Sequence, residues 1–139
     1  MTPKEECEEL LNALLPFAVN QLKKHGEFYP FGAVLNKDGE ISLTAVDSGD
    51  DHPDPTGMIN RLTEVHNVQA KQGEIKASGI CWNASILHEN GEKSDAVLLS
   101  LEHRDDYSVV VGQPYKIGLF KKVNLKPLFA QNGKHDIFL

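Results

Sequence analysis

The stretch Ala96-Val97-Leu98-Leu99-Ser100-Leu101-Glu102-His103-Arg104-Asp105-Asp106-Tyr107-Ser108-Val109-Val110-Val111 decides the fold class. Val97, Leu99 and Leu101 recur at every second position, which predicts a strand over Ala96 to His103 with those three inward. Arg104-Asp105-Asp106 reads as a polar turn. A second strand runs from Tyr107 to Tyr115, with Val109 and Val111 alternating with Ser108 and Val110. Strands joined by so short a turn pair antiparallel.

The same pattern extends in both directions. Upstream, Ile80, Trp82, Ala84 and Ile86 alternate with Gly79, Cys81, Asn83 and Ser85, and Asn90-Gly91 marks the turn that follows. Downstream of Pro114 the pattern weakens: Val123 to Phe129 reads as a short strand and Asn132-Gly133 as a turn.

The first half is built differently. Thr2-Pro3-Lys4-Glu5 carries a helix start, with Thr2 as cap, Pro3 in the first turn and Glu5 reaching back. Leu10, Leu11, Leu14, Leu15, Ala18 and Leu22 recur at helical spacing. Pro16 inside that pattern predicts a kink or short break, and Gly26 ends the helix in a left-handed turn. Phe28 to Leu35 and Glu40 to Val46 read as a hairpin through Asn36-Lys37-Asp38-Gly39. Phe31, Ala33 and Leu35 share one face, as do Ile41, Leu43 and Ala45. Asp54 and Pro55 open a second helix with Met58, Ile59, Leu62, Val65 and Gln69 as its inner stripe, and Gly73 ends it.

The expectation is therefore one α+β domain over residues 1–139. It has about five antiparallel strands and two main helices, in the order α-β-β-α-β-β-β. That order resembles the profilin-like and roadblock/longin-like domains, which are mainly binding modules.

The net charge of −6 argues against general nucleic-acid binding, which depends on phosphate neutralisation. Lys121-Lys122 with Lys116 and Lys126 form a local basic cluster that reads as a solvated strand face. Cys7 and Cys81 match no metal or redox spacing, and two free thiols are the simpler reading than a disulfide. The polar N-terminus is no signal peptide, and no apolar run approaches the roughly 20 residues a span requires. A cytoplasmic protein with no cofactor and no membrane or nucleic-acid partner is expected.

The run Pro30-Phe31-Gly32-Ala33-Val34-Leu35-Asn36-Lys37-Asp38-Gly39-Glu40-Ile41, followed by Asp54-Pro55-Thr56, resembles the opening hairpin and helix of the cytidine/guanine deaminase-like zinc hydrolases. That resemblance covers roughly residues 28 to 60. It implies a helix bearing His-x-Glu and a later Pro-Cys-x-x-Cys that would hold zinc. The chain departs from both motifs: Gly57, Met58 and Asn60 stand where the His and Glu would fall, and no Cys-x-x-Cys occurs. No functional residue carries over. Phe28-Tyr29-Pro30-Phe31-Gly32 early and Leu101-Glu102-His103-Arg104 late are also similar to bacterial proteins whose function is not established.

Other constellations remain open. Asp47-Ser48-Gly49-Asp50-Asp51-His52-Pro53-Asp54 has the residue types for a hard or borderline cation, with Asp50, His52 and Asp54 as ligands, but lacks EF-hand spacing. Its other reading is a solvated loop whose last Asp caps a helix. Glu102 and His103 point to opposite faces of their strand and cannot act on one atom. His103 reads as a half-buried edge histidine and His66 as a boundary residue, and Cys81 as a small structural thiol. Phe31 and Trp82 read as core. Tyr29, Tyr107 and Tyr115 read as surface anchors.

Two functions compete. The first is a small non-enzymatic protein-binding module of the immunity-inhibitor type. It would meet a basic partner through Tyr29, Tyr107, Tyr115 and the acids Asp50, Asp51, Asp105 and Asp106. The second is a metal-dependent hydrolase built on Asp50, His52 and Asp54, with His66 or His103 added. No catalytic residue is assigned in the first. A homodimer through a free sheet edge is compatible with both.

Overall fold

The computed structural model describes residues 1–46 and 54–139. One antiparallel sheet is covered by a helix on each face. The elements are α1 (Pro3–His25), β1 (Phe31–Asn36), β2 (Ile41–Thr44), α2 (Pro55–Lys71), β3 (Ile75–Leu87), β4 (Lys93–His103), β5 (Tyr107–Ile117), β6 (Val123–Leu125) and β7 (Phe129–Asn132). The strand order is β2-β1-β3-β4-β5-β6, and β7 also pairs with β5. The α+β class and the antiparallel sheet are as expected. The described strands number seven, not about five, because the weak pattern after Pro114 makes two short strands that share the outer edge of β5.

Local chemistry builds the helices. Thr2 Oγ1 accepts from the Glu5 N–H at 3.1 Å and Glu5 Oε1 accepts from the Thr2 N–H at 3.3 Å, completing the capping box. Such a cap contributes about 1 kcal/mol. Gly26, at φ 76°, donates its N–H to Leu22 O and stops the helix. The helix runs without a break through Pro16, contrary to the expected interruption. Pro16 and Asn12, whose carbonyl loses its donor, both lie on the exposed face, where water replaces the missing bond.

Leu10, Leu14, Ala18 and Leu22 bury one face of α1 against Ala33, Leu35, Ala77, Cys81, Val97, Leu99 and Leu101. Each fully buried Leu contributes roughly 1.5–3 kcal/mol. The close approach requires Gly79: a Cβ there would stand 2.6 Å from Leu14 Cδ1 and 3.2 Å from Leu101 Cδ2. Both leucines are fully packed and have nowhere to move. Gly79→Val is therefore expected to destabilise the fold by roughly 1–3 kcal/mol. A urea midpoint equal to that of the parent protein would refute this packing.

The other face carries Val34, Ile80 and Trp82 against Leu62 and Ile59 of α2 and against Ile137 of the C-terminal segment. With a helix on each side, β1 is buried from Gly32 to Leu35, not on alternate residues. β2 is an edge strand among the described residues, and its Ile41 and Leu43 are exposed because α1 packs chiefly on β1, β3 and β4. The hairpin turn forms as expected: Asn36 Oδ1 accepts from the Asp38 and Glu40 N–H groups at 2.9 Å each, and Gly39 sits at φ 89°. Cys7 and Cys81 are free and buried in the α1-side core, where burial pushes the Cys7 thiol up to about 12 and the Cys81 thiol up as well. Among the described residues no helix is long and apolar enough to cross a membrane.

Candidate functional site

An aromatic cup opens between the end of α1, the segment leading into β1 and the start of α2. Phe17, Phe28, Tyr29 and Phe31 form its apolar wall with Pro55, enclosing about 490 Å³. Phe31 is the keystone: its ring meets Phe17 edge-on at 5.0 Å and Phe28 at 5.7 Å. Phe28 and Phe31 also pack on the α1-side core, which fixes their positions. Phe17 and Tyr29 remain 42% and 54% exposed. Gln21, His25, Glu27 and Asn83 supply polar groups at the rim. Rigid aromatic walls with a carboxylate at the rim suit an aliphatic or cationic side chain.

The other expected anchors do not join Tyr29. Phe31 pairs at the level of Cys81 and Leu99, whereas Tyr107 pairs with His103 and His103 with Ala77, at the Leu35 end of β1. Tyr107 and the Asp105–Asp106 turn therefore lie at the opposite end of the sheet from Tyr29. Tyr115 is corrected from surface to core: it is 3% exposed, and Asn83 Nδ2 donates to its hydroxyl at 3.3 Å. It faces α1 among Val97, Leu99 and Val111, and burial raises its pKa. Tyr107 is half-buried against the same core.

Asp105 and Asp106 are exposed and turn toward histidines. Asp106 Oδ1 lies 3.2 Å from His135 Nε2. Asp105 donates its N–H to His103 Nδ1 at 3.0 Å, which leaves the proton on Nε2, directed at Glu6 Oε1 at 3.1 Å. His103 is buried between two partner strands, not half-buried at an edge. Lys76 Nζ lies 3.3 Å from the other Glu6 oxygen. Burial alone would raise the Glu6 pKa, but the bonds from His103 and Lys76 hold it below the ordinary carboxylate range.

His66 is likewise corrected from boundary to interior. It is fully buried, with Nδ1 at 2.7 Å from Ser78 Oγ and Nε2 at 3.0 Å from Thr44 Oγ1. It fits because β1 offers Gly32 beneath it, where a Cβ would come within 3.0 Å of His66 Cε1 and 2.8 Å of Gly79 O. Burial lowers its pKa from 6.5 to about 4, so the ring is neutral. Ser78 and His66 have the residue types of a nucleophile and base, and both are buried among the described residues, with Ser78 lining a small cavity of about 110 Å³ beside Glu102.

Glu102 points to the α2 face, opposite His103, as alternation requires. Its carboxylate accepts from the backbone N–H groups of Asp136, Ile137 and Phe138 at 2.9, 3.1 and 2.6 Å. Among the described residues, no three His, Cys, Asp or Glu side chains are placed to hold a metal ion. Asp50, Asp51 and His52 lie outside the described residues. The Asp54 carboxylate accepts from the Thr56 and Gly57 N–H groups at 3.3 Å each and caps α2.

A larger trough of about 1240 Å³ lies by the β3–β4 hairpin, against the ends of β4 and β5. Its walls mix Glu89, Glu92 and Asp95 with Lys93, Lys116 and Lys126, and it offers no buried polar anchor. The smaller aromatic cup is walled by four aromatic side chains, two of which, Phe28 and Phe31, pack on the core. Comparisons with family models, curated proteins and solved structures find no match to this chain.

Proposed function

We propose that this protein is a small non-enzymatic protein-binding module, of the immunity-inhibitor kind, and that the aromatic cup is where it grips its partner. The reading rests on Phe17 and Tyr29: two large aromatics left substantially exposed, yet held around one concavity by core-anchored Phe28 and Phe31. Exposed aromatic side chains at a preformed cup are the residues that dominate protein interfaces. The net charge of −6 and the Glu27 carboxylate at the rim favour a basic partner inserting an Arg or Lys stem.

The test is capture from native lysate at low salt, run in parallel with the parent protein and Tyr29→Ala. A near-stoichiometric partner held by the parent and weakened more than about tenfold by the substitution supports the reading. Tyr29 is exposed, so its truncation is expected to move folding stability by less than about 0.5 kcal/mol. An identical set of bound proteins for both, or a partner indifferent to salt, would overturn it. Self-association is the other partner expectation. It would use the free edge of β2, and light scattering reads it directly.

A further inference from the structure

Between Asp106 and Asp136 the chain contains no carboxylate and five lysines, in a protein whose net charge is −6. Four of these cations, Lys116, Lys121, Lys122 and Lys126, are exposed around the connection from β5 to β6. Removing those four from the total leaves −10 on the rest of the molecule. Among the described residues none of the four makes an ion pair. Lys116 and Lys126 line the trough, while Lys121 and Lys122 stand outside its lining.

The apex of this connection is apolar. Leu119 and Phe120 are 86% and 100% exposed, and Ile117 and Leu125 are exposed at its base. Phe120 and Lys121 both hold left-handed backbone, at φ 60° and 59°. That conformation is unfavourable for a residue with a bulky side chain. The Gly118 N–H donates to Lys122 O at 2.9 Å and the Lys122 N–H to Leu119 O at 3.3 Å, which holds the turn closed. The result is an apolar point flanked by Lys121 and Lys122, with Lys116 and Lys126 behind it at the trough that also holds Glu89, Glu92 and Asp95.

We propose that this tip is a contact for an anionic membrane surface. Leu119 and Phe120 enter the boundary between headgroups and acyl chains, and the four lysines lie among the lipid phosphates and carboxylates. Two apolar side chains alone bind a bilayer weakly, and so do four lysines alone; together they supply the paired signals that reversible membrane attachment needs. The charge segregation also sets orientation, because the same surface that attracts the tip repels the acidic remainder. The tip and the aromatic cup share no residue, so this inference stands apart from the partner reading.

Co-sedimentation of the full chain with phosphatidylserine-rich vesicles at low salt tests it, with pure phosphatidylcholine vesicles in parallel. Retention is expected on the anionic vesicles only, falling at least about tenfold with Phe120→Ser and again with a Lys121→Glu, Lys122→Glu pair. All three side chains are exposed, so thermal melting should be unchanged and loss of binding cannot be assigned to unfolding. No retention on anionic vesicles, or retention indifferent to Phe120→Ser, overturns the proposal. So does capture of a single-stranded oligonucleotide without vesicle binding, or a Phe120-dependent dimer in light scattering, which would assign the tip to nucleic acid or to a second copy.

Discussion

Acidification is expected to destabilise this protein by roughly 3 kcal/mol through His66 alone. The ring is fully buried, and burial lowers its pKa from 6.5 to about 4. As the pH falls through 6.5, the unfolded chain takes up a proton that the folded chain refuses until about 4. The neutral ring's contribution is therefore complete above that interval and shrinks across it. Glu6, whose folded pKa is also lowered, adds a further loss at more acid pH as its bonds to His103 and Lys76 fail. Urea unfolding at stepped pH measures the effect, and His66→Gln is expected to flatten the profile across the His66 interval. A parent profile already flat there would overturn the assignment.

The second large effect is expected at Glu102. Its buried carboxylate holds three successive backbone N–H groups of the C-terminal segment, and Asn67 Nδ2 donates to Ile137 O at 2.8 Å beside them. Glu102→Ala removes the acceptor for all three. Leaving the buried Ile137 N–H unpaired costs about 1–3 kcal/mol, so the segment is expected to detach instead. Detachment withdraws Ile137 from the α2-side core, which forfeits roughly 1.5–3 kcal/mol of burial. The expected total is about 3 kcal/mol, together with fast amide exchange at residues 136–138 while β3 and β4 stay protected. Unchanged protection at those amides in Glu102→Ala would show that the clasp does not hold the segment.

Much of the scaffold was legible in the chain itself. The Thr2–Glu5 box, the Asp54 cap, the left-handed Gly26 and Gly39 and the Asn36 turn all formed as read, because each depends on groups at most four residues apart. The β4–β5 hairpin formed for the same reason. The candidate site was legible only in part. The aromatic run around Tyr29 could be singled out, but Phe17 could not, since it lies off the buried stripe of α1 that spacing identified and meets Phe31 only through tertiary packing.

Residue type and local spacing by themselves determined the class of fold, the helix caps and the tight turns, the acidic balance and the absence of any complete zinc motif. Only the tertiary structure decided the rest. It put Tyr115 and His66 inside, and carried the helix through Pro16 because its lost bond faces water. It joined Glu102 to a segment more than thirty residues downstream, and set Tyr29 and Tyr107 at opposite ends of one sheet. The physical reason is common to these outcomes. His66 and Glu102 are enclosed on the α2 side and Tyr115 under α1, and which polar groups end up inside depends on long-range partners available to satisfy them.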